Sequence, residues 1–289
     1  MILRAYLFLI ALAACLAAPL SLAAPRPFTL DNTEVIDFHA QANNKDYEIY
    51  VRLPDSYAKN PARKFPLVVL TDGYYAFPLL SAINWRMSER HSEYQQAIVV
   101  GISYSKGDDI NESRTRDFTP TRSREQFNSD AAQAKSGGAS RYLAFIGDEL
   151  LPYVQSHYRV DSAKKIFAGH SFGGLLATYM LFTRPQLFDY YLIGSPSLWY
   201  DNKVMFRLES DYAATHKNLA AKVFMATGAE EDEPAHGMVQ NMFALEKALR
   251  SRRYPGLSLE VKSLPDEGHL SGYPAFITQG LLWALPPPT

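Results

Sequence analysis

Gly169-His170-Ser171-Phe172-Gly173-Gly174 lies between the apolar run Lys165-Ile166-Phe167-Ala168 and the segment Leu175-Leu176-Ala177-Thr178-Tyr179-Met180. The order reads as a strand, a sharp turn and a helix with a serine at the apex, the context in which a G-x-S-x-G match is a nucleophile elbow. To expose Ser171 Oγ at the end of a sheet, the backbone must turn so tightly that side chains at Gly169 and Gly173 would collide with their neighbours. The turn therefore demands a βαβ context on both sides.

The 289 residues, 47% of them hydrophobic, are enough for one large α/β domain or two small ones with a full core. A net charge of -1 argues against a general electrostatic attraction to nucleic acid or to an anionic membrane. A charged partner would have to be recognised locally.

Residues 1 to 23 read as an export signal: Arg4 supplies a small positive start, Ala5 to Leu16 an apolar stretch, and Ser21-Leu22-Ala23 a small-x-small cleavage site. Two alternatives stand beside it, a retained anchor over Ala5 to Ala24 and a lipoprotein signal, Leu12-Ala13-Ala14-Cys15, that would lipidate Cys15. Cys15 is the only cysteine, so the mature domain holds no internal disulfide and relies on its core. That composition suits a bacterial periplasmic or secreted protein better than a small cysteine-dense scaffold.

Past the signal, Glu34 to Ala40 and Tyr47 to Leu53 alternate as an antiparallel strand pair around the polar tip Gln41 to Asp46. Phe65 to Leu70 is a continuous apolar run, the mark of a strand buried on both faces of a parallel sheet. Ala97 to Ile102, Lys165 to Ala168, Tyr190 to Ile193 and Val223 to Ala226 repeat it. Helical periods fill the gaps, with Tyr142, Ile146, Leu150 and Val154 on one face and Met242, Leu245 and Leu249 on another. This alternation predicts one doubly wound domain over residues 24 to 289, a mainly parallel sheet with helices on both faces and an antiparallel opening pair. Ser103 to Ala139 breaks the rhythm: it is polar, carries Arg114, Arg116, Arg122 and Arg124, and shows no period. A connection of that length is usually a functional flap or disordered, and a flap over the site is the expectation.

A serine hydroxyl needs a base within hydrogen-bond reach and a third group to orient that base. In α/β-hydrolases these follow the serine in the order acid, then histidine, from loops at the carboxyl ends of later strands. His269 follows the alternating strand Leu257, Leu259, Val261 and precedes a helix around Ala275 to Leu285, where the last loop should place the base. His216, in a polar helical stretch, and His236, beside an acidic run, read as capping or solvated groups. The acid should follow Val223 to Ala226, and Glu230, Glu231, Asp232 and Glu233 all stand there. An oxyanion needs backbone N–H donors, one from the residue after the nucleophile and one from the loop after the third strand. Those positions are Phe172 and Tyr74.

Together these segments resemble the putative esterase family of α/β-hydrolases, which includes formylglutathione hydrolases, feruloyl esterases, mycolyltransferases and trilactone siderophore esterases. The resemblance covers nearly the whole mature chain. It is carried by Leu70-Thr71-Asp72-Gly73-Tyr74, by Val100-Gly101-Ile102 with Arg114-Thr115-Arg116-Asp117-Phe118-Thr119-Pro120, by Leu150-Leu151-Pro152-Tyr153, by the elbow, by Gly194-Ser195-Pro196-Ser197-Leu198-Trp199 and by Gly268-His269. The second and fifth of these are most similar to the siderophore-esterase branch. Family members commonly carry the acid three residues after the glycine that ends its strand, which implies Glu231, with Asp232 as the alternative. The resemblance implies ester hydrolysis by Ser171, His269 and that acid, within the α/β-hydrolase fold.

Tyr74, Tyr75, Phe77, Trp199 and Tyr200 are expected beside the elbow, where aromatic faces would pack against a flat moiety. Guanidinium forks in the 103 to 139 segment suit an anionic substrate such as a ferric catecholate, or equally stand solvated or hold the segment by pairing with Asp117. Tyr75, Arg116, His170 and Trp199 are accordingly the candidates for substrate contact. With no H-E-x-x-H, no histidine pair at ligand spacing and no G-x-x-x-x-G-K phosphate cradle, neither metal nor other cofactor is implied. The expected partner is a small-molecule ester, with a membrane engaged only through a lipid on Cys15. An acyltransferase using the same residues and a non-catalytic binding protein are the competing expectations.

Overall fold

The computed structural model describes residues 26–123, 127–231 and 236–287. The expected export signal over residues 1 to 23, Cys15, Arg124 and the alternative acid Asp232 lie outside the described residues. The chain divides into two units, Met1–Leu30 and Asp31–Thr289. Residues 26 to 30 contain neither strand nor helix.

The second unit is built on one eight-stranded sheet: β1 (Thr33–Ala40), β2 (Lys45–Arg52), β3 (Phe65–Leu70), β4 (Ile98–Ile102), β5 (Val160–His170), β6 (Tyr190–Gly194), β7 (Ala221–Gly228) and β8 (Leu257–Leu264). Its spatial order is β1-β2-β4-β3-β5-β6-β7-β8. β1 runs antiparallel to β2 and β2 antiparallel to β4, and every later pairing is parallel. This is the doubly covered, mainly parallel sheet of the α/β-hydrolase fold.

The helices are α1 (Gly73–Asn84), α2 (Ile110–Phe118), α3 (Asp130–Ala134), α4 (Ala139–Ala144), α5 (Leu151–His157), α6 (Phe172–Thr183), α7 (Tyr200–Thr215), α8 (Met238–Arg252) and α9 (Gly272–Ala284). A π-helical stretch, Phe145–Leu150, joins α4 to α5. The continuous apolar runs of the central strands are explained by burial on both faces. Leu67, Val69, Phe167, Tyr191, Ile193, Val223 and Met225 point into one core, shared with Leu176 and Met180 of α6 and Met242 and Leu245 of α8. The alternate residues Val68, Leu70, Ile166, Ala168, Leu192, Phe224 and Ala226 point into the other, covered by Phe77 and Leu80 of α1 and Phe276 and Leu281 of α9.

Among its described residues, the 103 to 139 segment contains α2 and α3. Helix α2 is capped by Asp109, whose side chain accepts from the N–H of Asn111 and Glu112 at 2.8 and 3.3 Å. Its buried face holds Ser113, Thr115, Asp117 and Phe118, so it packs through hydrogen bonds and presents almost no apolar stripe. Asp117 accepts from Tyr47 Oη at 2.8 Å and from Arg116 Nη2 at 2.8 Å.

Candidate active site

Strand β5 delivers Ser171 to the carboxyl edge of the sheet, and α6 begins at the next residue. Ser171 has φ 61° and ψ -117°, a conformation that L-residues rarely adopt and that surrounding contacts must hold. Its N–H donates to Gly194 O at 2.9 Å, and its own carbonyl accepts from Leu175 and Ser197 at 2.9 and 3.2 Å. The glycines around it are required for space: a Cβ on Gly169 would stand 2.2 Å from Gly173 O, and one on Gly173 would stand 2.5 Å from Thr71 Oγ1.

His269 and Glu231 arrive from the loops after β8 and β7. Glu230 N–H donates to Glu267 O at 3.0 Å and Ala229 N–H to Leu264 O at 2.8 Å, so the two loops are laced backbone to backbone. His269 Nδ1 lies 2.6 Å from Glu231 Oε2. The other carboxylate oxygen, Oε1, accepts from Ser195 Oγ at 2.6 Å and from the Gly228 N–H at 2.8 Å. Glu231 is buried, which alone would raise its pKa. The hydrogen bonds from His269, Ser195 and Gly228 outweigh burial and hold the carboxyl below its ordinary value. Of the four carboxylates in the acidic run, Glu231 is the one whose position meets the histidine among the described residues.

Ser171, Glu231 and His269 line one cavity of about 390 Å³, together with Ser197, Trp199, Glu230, His236, Met238 and Gly268. The imidazole that the serine chemistry needs is thus brought to the same cavity as the serine. The Phe172 N–H opens α6, and the Tyr74 N–H lies in the first turn of α1. First-turn N–H groups have no partner within their own helix, and neither donates to another backbone group among the described residues.

The four candidates for substrate contact separate in space. Trp199 lines the cavity. His170 is instead buried beneath it, with its ring 4.7 Å from that of His269 and edge-on to Tyr273 at 5.4 Å. Burial, and then the neighbouring His269, push its imidazole down to about 3, so it is neutral at pH 7. Arg116 spends its donors within the protein, on both Asp117 oxygens, Ser105 and Asp108. Tyr75 is half exposed, lies edge-on to Tyr273 at 5.6 Å and is not among the cavity-lining residues. Phe77 and Tyr200 are core residues, the latter donating its hydroxyl to Thr121 O at 2.6 Å.

Sequence reasoning missed two residues. His236, read as a cap or solvated group, lines the cavity with its ring 4.5 Å from Trp199. Only the fold brings that pair together. Ser195 was visible inside Gly194-Ser195-Pro196-Ser197, but nothing in that motif indicated that its hydroxyl would bind the acid.

Comparison with known proteins bears on the family and the fold. The family model described as putative esterase matches residues 40–257, more than half of the chain. Over 268 residues the chain is 28% identical to the ferri-bacillibactin esterase BesA of Bacillus subtilis, covering 90% of this chain and 92% of the relative. It is 29% identical over 219 residues to the siderophore triacetylfusarinine C esterase of Aspergillus fumigatus, covering 73% and 72% respectively. Among solved structures, the BES protein from Bacillus cereus superposes with a TM-score of 0.77 at 27% identity, covering 92% of this chain and 99% of that one.

Proposed function

This chain belongs to the putative esterase family, an ester-hydrolysing group, and from that premise we propose that it is an exported serine esterase working through an acyl-enzyme. The observation that carries the proposal is the 2.6 Å contact of His269 Nδ1 with Glu231 Oε2 at the wall of a cavity that also exposes Ser171. With Nδ1–H held by the carboxylate, Nε2 is left as the basic nitrogen. It takes the proton of Ser171 Oγ as that oxygen bonds to the ester carbonyl carbon. The N–H groups of Phe172 and Tyr74 receive the oxyanion. When the tetrahedral species collapses, the ester C–O bond breaks and the alcohol leaves with the proton from Nε2. Water, deprotonated by the same nitrogen, then releases the acid and returns the proton to Ser171.

The substrate class proposed is the siderophore lactone or ester. Two similar proteins are named as esterases of ferri-bacillibactin and of triacetylfusarinine C, which supports the assignment. Trp199 on the cavity wall offers a face for a flat group. Export is supported by the composition of residues 1 to 23 alone.

The test is a hydrolysis screen of catecholate trilactones, hydroxamate esters, feruloyl esters, thioesters and p-nitrophenyl acetate, with Ser171→Ala as the control. Trilactone or hydroxamate esters should rank first by kcat/KM, and the variant should lose at least about 10⁴-fold on all of them. Undiminished turnover by Ser171→Ala would refute the mechanism. Transfer of the acyl group to an added alcohol in preference to water would make the protein an acyltransferase.

A further inference from the structure

Arg114 reaches from α2 to both turns that carry the proposed oxyanion donors. Its Nε donates to Asp72 Oδ1 at 2.8 Å and its Nη2 to Asp72 Oδ2 at 3.2 Å. The same Nη2 donates to His170 O at 3.2 Å, and the guanidinium carbon lies 5.3 Å from the centre of the Phe172 ring. Asp72 is the residue before α1, buried and left-handed at φ 56°, and Tyr104 Oη donates to its Oδ1 at 2.7 Å. Its carbonyl accepts from the N–H of Tyr75 and Ala76 at 3.2 and 3.1 Å. Those bonds tie Asp72 to the first turn of α1, which contains Tyr74.

Aspartate is among the residues that tolerate left-handed backbone, and its buried carboxylate is fixed in place here. Three hydrogen bonds, one from Tyr104 and two from Arg114, hold that carboxylate. On the nucleophile side, the peptide between His170 and Ser171 is held at both ends: its carbonyl by Arg114 and its N–H by Gly194 O. The two turns also touch, since a Cβ on Gly173 would lie 3.4 Å from Asp72 Oδ2.

We infer that Arg114 is the positioning residue of the oxyanion site, one side chain that fixes the Tyr74 turn through Asp72 and the Phe172 turn through the His170 carbonyl. The inference rests on the esterase reading above. A planar fork with several donors can serve a carboxylate and a carbonyl at once, whereas a lysine ammonium is a single point charge on a longer, freer stem. The spacing between two N–H donors then depends on a residue that need not touch substrate. Donor placement matters because losing one oxyanion donor costs about 10²- to 10³-fold in kcat.

The test compares wild type with Arg114→Lys, Arg114→Gln and Tyr104→Phe, using p-nitrophenyl acetate and an alkylboronic acid as a tetrahedral analogue. Circular dichroism and urea midpoints check folding, and Tyr104→Phe carries the test if the arginine variants fail to fold. Expected is a fall in kcat of at least about tenfold for both arginine variants, and a smaller fall for Tyr104→Phe, with KM within about threefold. Boronate affinity should fall in step with kcat/KM, while affinity for the product acid stays level. Folded arginine variants with kcat within twofold of wild type overturn the inference and leave the esterase reading intact. So does a loss of kcat without loss of boronate affinity. A wild-type chain that hydrolyses no ester removes both.

Discussion

Ser195 Oγ donates to Glu231 Oε1 at 2.6 Å, while His269 Nδ1 meets the other oxygen, Oε2, at the same distance. The carboxylate is therefore gripped on the side away from the histidine, and its plane is fixed relative to the ring. Ser195 itself is held by its N–H on Ala226 O at 2.7 Å and sits at φ 37°.

Removing that grip should loosen the acid without displacing it. A hydrogen bond to a charged group is worth about 1.5–3 kcal/mol. Ser195→Ala is therefore expected to lower kcat about 10-fold with KM little changed, as read by steady-state kinetics. A rate equal to wild type would show that the Gly228 N–H alone orients Glu231.

Glu231→Gln keeps the shape of the side chain and removes the charge that the imidazolium needs. It also sets an amide that can donate against Nδ1–H, favouring the wrong tautomer. The expected loss in kcat is about 10²- to 10⁴-fold, with Ser171 still present but slow to react with a fluorophosphonate probe. Retention of most of the activity would move the acid role elsewhere in the run after Gly228.

His170 predicts a stability that depends on acid. Its imidazole is pushed from an ordinary 6.5 down to about 3 in the folded protein, so between those values the unfolded chain binds the extra proton. Stability is then complete above pH 6.5 and falls as the pH drops towards 3, with a slope of up to about 1.4 kcal/mol per pH unit from this group. Urea midpoints across that range should fall less steeply in His170→Phe. An identical pH profile in the variant would assign the acid sensitivity to other groups.

Gly169→Ala should be severe, because the new methyl would stand 2.2 Å from the Gly173 carbonyl, a backbone atom that cannot rotate away. A loss of at least about 3 kcal/mol is expected from the clash. Gly268→Ala meets nothing within 4 Å and should stay within about 0.5 kcal/mol of wild type. Equal urea midpoints for the two variants would mean that the elbow relaxes.

Strands β3 to β7 were legible because burial on both faces leaves uninterrupted apolar runs such as Phe65 to Leu70. The elbow was legible because its glycines answer a steric demand that no other residue meets. Helix α2 was not, since Ser113, Thr115 and Asp117 form its buried face and leave no hydrophobic period. Substrate contacts were the least readable. Arg116 is held by Asp117 and Asp108 within its own segment, a pairing that composition alone does not distinguish from a substrate contact, whereas His170 meets Tyr273 only through packing between distant segments. Trp199 and His236 form a pair for the same reason.

The backbone bonds from Ser171 to Gly194, Ser195 to Ala226, Ala229 to Leu264 and Glu230 to Glu267 step across the strand ends one after another. They act as a ruler laid crosswise to the strands, on which the reacting groups are marked. Glu231 and His269 stand 38 positions apart in sequence, yet their spacing is set by these crosswise bonds and not by the path of the chain through α8. Segments that shape the mouth of the cavity are free to diverge while the spacing of the machinery beneath them stays calibrated.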